Sequence, residues 1–104
     1  MVRIKIRKVT NKSNNMKNTR QLERIVKGFA NHRRIEILIL LEKQPELSVI
    51  EIAAKLTINF KTASEHIRRL AIAGLVWKRN EGAAVRHKLS PLGILILKFL
   101  RTLE

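Results

Sequence analysis

The run Asn59 to Ala73, NFKTASEHIRRLAIA, restricts the fold of this chain more than any other stretch. Ala63, Ile67, Leu70 and Ala71 recur at offsets that a 3.6-residue period gathers into one inward stripe. Thr62, Ser64, Glu65, Arg68 and Arg69 lie off it, short side chains early and guanidinium groups later. Asn59 suits an N-cap, because its side-chain oxygen can accept from a backbone N–H two or three residues on. Gly74 can take the left-handed conformation that ends such a run, with Leu75 as the hydrophobic residue beyond it. The spacing predicts a helix of about 22 Å at 1.5 Å per residue. Taken by itself, it equally describes an ordinary amphipathic helix with a solvated basic face.

The preceding residues sharpen that reading. Ser48 stands three residues before Glu51, a capping box, and Val49, Ile52, Ala53 and Leu56 supply the apolar side of a short helix. Thr57 and Ile58 leave only a tight connection. A short helix, a brief turn and a second helix with exposed polar residues make a helix-turn-helix order, whose polar side fits a DNA major groove.

Further upstream, Leu22, Ile25, Val26 and Phe29 have helical spacing from about Asn18, with Thr19 as a candidate cap and Gly28 weakening the end. Asn31 caps a second predicted helix through the nearly continuous apolar stretch Ile35 to Leu41, which Gln44 and Pro45 stop. Residues 1–17 read as a basic arm or short strand, since Val2, Ile4 and Ile6 alternate with Arg3, Lys5 and Arg7. Phosphate contact, a frayed tail and packing on another subunit all remain open for it.

After Gly74 the period changes from helical to alternating. Leu75 and Trp77 are expected on one side with Val76 and Lys78 on the other; Asn80, Glu81 and Gly82 turn the chain, and Val85, His87 and Leu89 return. This hairpin carries Lys78, Arg79, Arg86 and Lys88. Ser90 then caps a last helix with Pro91 at its first position. Apolar residues from Leu92 to Leu103 surround that helix, more than one domain can cover. A large exposed apolar patch marks an interface, so a homodimer is expected through Leu22, Ile25, Phe29, Ile96, Leu97 and Leu100. The alternative is that the N-terminal segment folds back over the patch.

With 104 residues, the chain has room for one modest core. Its 22 basic against 8 acidic residues give a formal charge of +14, so the partner should be polyanionic. Without cysteine there is no disulfide framework, thiolate metal site or cysteine nucleophile, and all eight acidic residues are Glu. No apolar run approaches the roughly 20 residues of a membrane span, and the N-terminus lacks a secretory core. A soluble cytoplasmic protein without cofactor is expected. No glycine-rich phosphate loop, HExxH motif or nucleophile and base pair suggests an enzyme.

The order (β-arm)-α-α-α-α-β-β-α, mainly α with a β-hairpin wing, resembles a winged helix-turn-helix domain. Between Leu22 and Leu103 the residues look like the ArsR family of repressors. FANHRRIEILILL is similar to the family's second helix, "Leu-Ala-(Asp/Asn)-X-X-Arg-X-X-Ile-Leu", and LSVIEIAAKLTINFKTASEHIRRLAIAGLV to its helix-turn-helix signature. The resemblance implies that Lys61, Thr62, Ser64 and Glu65 face the groove, with His66 at the family's usual histidine. Phe60 and Glu65 depart from the pattern. Phe60 can touch a thymine methyl or pack under the helix start, with packing expected, and Glu65 can contact cytosine or position Arg68 or Arg69. The family's metal-sensing members use cysteines before the recognition helix or Asp, His and Glu on the last helix. Val49 to Leu56 has no thiol and Gly93 to Leu103 no such ligand, so no metal is expected, and His66 and His87 read as structural.

Double-stranded DNA with an imperfectly palindromic site is therefore the expected partner, with helix 59–73 in the major groove and hairpin 76–89 as the wing. Two rival readings are a nonspecific architectural DNA-binding protein, for which charge suffices, and a winged-helix module that binds protein.

Overall fold

The computed structural model describes residues 16–104, in the order α1 (Thr19–Phe29), α2 (His32–Lys43), α3 (Val49–Leu56), α4 (Phe60–Ile72), β1 (Val76–Glu81), β2 (Ala84–Leu89) and α5 (Pro91–Arg101). The strand or arm expected over residues 1–17 lies almost entirely outside the described residues.

Short polar side chains set each helix start. Asn18 and Gln21 form a reciprocal capping box on α1, as Ser48 and Glu51 do on α3. Asn31 accepts from Arg33 and Arg34 N–H on α2, and Asn59 from Lys61 and Thr62 N–H on α4. Asn18 rather than Thr19 is thus the cap of α1. Thr57, at φ +56°, closes α3 and lets the chain reverse into α4 within three residues.

Between these helices sits one core, in which Ile37, Leu38, Leu41, Ile52, Ile67, Leu70, Leu75 and Leu97 are fully buried. Burying a Leu or Ile side chain stabilises by roughly 1.5–3 kcal/mol, so this cluster dominates the favourable side of folding. Two glycines permit close approaches. A Cβ on Gly28 would stand 2.4 Å from the Cβ of Ala73, so α1 rests directly on the end of α4. One on Gly93 would stand 2.2 Å from the Leu75 carbonyl oxygen, so α5 lies against the strand entry. The Ser90 hydroxyl staples the same corner, donating to Gly74 O at 2.6 Å and accepting from Gly93 N–H at 3.0 Å.

The hairpin is antiparallel with Val76 opposite Leu89 and Arg79 opposite Arg86. Its alternation differs from the expected one. Leu75 precedes the strand, its N–H donating to Leu70 O and its carbonyl accepting from Ser90, so Leu75 and Val76 are both buried while Trp77 turns outward. The turn is also tighter: β1 runs on through Glu81 and only Gly82, at φ +61°, and Ala83 form the tip. Glu46 and Leu47 add a short third edge, exchanging backbone bonds with His87.

The dimer residues expected from sequence divide. Phe29 and Leu97, 7% and 2% exposed, belong to the protomer's own core and cannot face a partner. Ile25, Ile96 and Leu100 are half-buried against that core. Leu22 stays exposed, as do Val26, Leu95, Phe99 and Leu103. The difference is one of rotation: on an almost wholly apolar helix, sequence cannot tell which side the domain takes.

Candidate nucleic-acid interface

Helix α4 buries Ala63, Ile67 and Leu70 and presents Lys61, Thr62, Glu65, Arg68 and Arg69 to solvent, with Ser64 half-buried at the edge. Phe60 departs from its expected packing. It precedes the buried stripe, which begins one turn later at Ala63, and remains 52% exposed beside Lys61.

Glu65 organises the later half of this face. Its carboxylate accepts from Arg68 Nε and Nη2, both at 3.0 Å, and from Arg69 Nε at 3.0 Å. Those hydrogen bonds and the two positive charges lower its pKa from 4.5 to about 2. The pair therefore supports the fold above the usual carboxylate range and is lost as pH falls through about 2. A carboxyl carbon-13 titration of Glu65 should show a midpoint near 2; a midpoint near 4.5 would mean that the arginines stand free in solution.

The wing differs from expectation in which cations it leaves available. Arg79 and Arg86 share one hairpin face and are engaged within the protein. Arg79 Nε donates to Glu46 at 3.1 Å, and Arg86 Nη1 to Glu51 at 3.0 Å, with Glu81 bridging both guanidinium groups. Lys78 makes no ion pair among the described residues, and Lys88 Nζ lies 5.9 Å from the Trp77 ring centroid. Arg79 and Arg86 thus brace the wing on the start of α3, leaving Lys78 and Lys88 as its exposed ammonium groups. Sequence counts charges and cannot assign these pairings, which join residues 33 to 35 positions apart.

His66 and His87 both serve the scaffold. His87 is buried and its Nδ1 lies 2.8 Å from Leu47 O; the carbonyl can only accept, so Nδ1 carries the proton. Burial lowers its pKa, opposed by that bond. His66 Nδ1 accepts from Arg34 Nε at 3.2 Å, and burial followed by the Arg34 charge lowers its pKa. No cluster of three or more metal-ligating side chains occurs among the described residues. Nor, among them, is any helix long and apolar enough to cross a membrane.

Residues 31–78 match the model of the bacterial regulatory protein, arsR family. Over 74 residues the chain is 36% identical to the transcriptional activator HlyU of Vibrio cholerae, covering 71% of this chain and 68% of that protein. The chain belongs to the arsR family. This is a family of transcriptional regulators and not of enzymes. A second relative, the HTH-type transcriptional regulator Rv0324 of Mycobacterium tuberculosis, is 39% identical over 70 residues, 67% of this chain but only 30% of that longer protein. The homodimeric winged helix-turn-helix DNA-binding domain of Mb0332 from Mycobacterium bovis superposes with a TM-score of 0.73 at 30% identity, covering 81% of this chain and 78% of that one. The winged helix-turn-helix fold and the mainly helical order of this arsR-family chain agree with it.

Proposed function

We propose that two copies of this arsR-family chain form a homodimer that binds an imperfect palindrome in double-stranded DNA and represses transcription by occupying it. The observation that carries this reading is the division of α4 between a sealed apolar side and an exposed polar side. The helix is thereby fixed to the core while its other side is free to enter a major groove. In such dimers the two recognition helices meet successive grooves about 34 Å apart.

Base choice falls to Lys61, Thr62 and Ser64, in the first turns of α4. Exposed Phe60 joins them as a contact for a thymine methyl. Arg68, Arg69, Lys78 and Lys88 hold phosphates, with Arg79 and Arg86 bracing the wing. Apolar residues exposed on α1 and α5 supply the dimer contact, in keeping with the homodimeric Mb0332 domain. HlyU bears the name of an activator, so a promoter reporter is the measurement that reads the sign of regulation.

Selection of bound duplexes from a random pool tests the reading, and a palindromic consensus is expected. On that duplex Thr62→Ala should lower discrimination against random DNA by roughly 1 kcal/mol or more, while Lys78→Ala weakens both nearly equally. Equal losses in the two variants would remove the division of labour. If the dimer neutralises 6 to 10 phosphates, affinity should fall by about 10³ or more between 50 and 200 mM salt.

A further inference from the structure

A groove of about 300 Å³ opens where the last turns of α1 and α4 meet, and five cations line it: Arg24, Lys27, Arg34, Arg68 and Arg69. Among the described residues no acidic side chain does so. Glu23 pairs with Lys27 at 3.1 Å, and Glu65 takes Arg68 and Arg69. Arg24 and Arg34 have no carboxylate partner among the described residues.

Arg34 is already fixed in place. Its Nη1 donates to Lys27 O at 3.0 Å and Gly28 O at 3.1 Å, its Nε donates to His66, and its Nη2 makes no hydrogen bond among the described residues. The side chain thus caps α1 with Nη1, holds His66 with Nε and keeps donor capacity on Nη2. His66 accepts that bond through Nδ1, so this nitrogen carries no proton in the contact. The contact of Gly28 with Ala73 forms the floor and holds the two helices at a set separation.

Planar guanidinium groups donate in parallel to phosphate oxygens, and a convergent set of them is relieved electrostatically by a multivalent anion. We propose that this groove is a phosphate site, with Arg34 as its fixed donor and Arg24 and Lys27 closing on the group from α1. Its volume admits a phosphate together with a portion of whatever carries it. The phosphate belongs either to the DNA backbone beyond the groove that α4 enters or to a free phosphorylated small molecule. Because both helices line the site, an occupant bridges a helix of the proposed dimer contact and the recognition helix.

The site is tested without DNA, by titrating the full chain with inorganic phosphate at constant ionic strength and following arginine Nε–H and backbone amide NMR signals. Saturable shifts are expected at Gly28, Arg34 and Ala73, and they should vanish in the double variant Arg24→Gln, Lys27→Gln, whose side chains are exposed on α1. Unsaturable shifts spread over all basic surfaces, or identical titrations of variant and wild type, overturn the proposal. Salt dependence on duplex DNA then separates the two sources. A backbone phosphate predicts that the double variant lowers the slope of log affinity against log salt by about 1 per groove, and a free phosphorylated molecule predicts an unchanged slope. Phosphate binding without duplex binding would reject the DNA reading and leave this site standing; the converse would reject the site alone.

Discussion

Gly93→Ala should destabilise the domain by about 2 kcal/mol, the upper end of the overpacking cost less the propensity gain, although alanine is the better helix former. Helix propensity alone would favour alanine by roughly 1 kcal/mol. Against that, the new Cβ would stand 2.2 Å from the Leu75 carbonyl oxygen and 3.2 Å from its carbon. That carbonyl cannot easily move, since it accepts from Ser90 N–H at 3.0 Å while the Leu75 N–H is bonded to Leu70 O. Overpacking against pinned backbone typically costs about 1–3 kcal/mol, occasionally more, and here it outweighs propensity. A thermal midpoint lowered by roughly 8–16 °C is expected for a domain of this size. A variant more stable than wild type in urea would show that α5 stands off the strand entry in solution.

Phe99→Glu should dissociate the proposed dimer and leave the protomer folded. Leu95 and Phe99 stand four apart on the outer side of α5, with Leu103 exposed just beyond its end, and Phe99 is 52% exposed. A carboxylate there meets water in the monomer but would be desolvated against an apolar partner, a penalty of several kcal/mol per uncompensated ion. Loss of the second half-site removes the gain from linked binding, so operator affinity should fall by about 10² to 10⁴. Light scattering, circular dichroism and a mobility-shift titration read the three quantities. A dimeric mass with unchanged affinity would place the contact elsewhere. Leu97→Glu is the contrasting case: with 2% exposure it would unfold the protomer rather than separate folded subunits.

Phe99 and Leu97 also illustrate how far periodicity reaches. In α4 the polar residues outnumber the apolar ones, so Ala63, Ile67 and Leu70 can be assigned inward and are buried. In α5 nearly every position is apolar, and the 3.6-residue period has no contrast to act on. Leu95 and Leu97 differ only in which neighbour lies opposite them. Trp77 shows a related failure, because counting strand alternation from Leu75 misplaces it, whereas pairing begins with Val76 opposite Leu89.

Within the candidate interface, Glu65 is legible as a neighbour of Arg68 and Arg69 because helical geometry places residues three and four apart together. The partners of Arg79 and Arg86 are not. Apart from Glu81 on the hairpin itself, their glutamates come from the α2–α3 connection and from α3, and only the docking of the hairpin on that connection brings them within reach. The phosphate groove escapes sequence reading for the same reason. Its nearest signal is Gly28, a helix-weakening residue that makes sense once Ala73 is found against it.

Local rules operate over a few residues, and so the caps of α2 to α5, the helix-turn-helix order and the basic character of the chain followed from sequence alone. The family resemblance followed from the same local strings. Tertiary structure decided which side of α5 is buried, which cations are neutralised by distant carboxylates, and that five of them converge between α1 and α4. Those outcomes depend on distances between segments far apart in the chain, which no periodicity within one segment encodes.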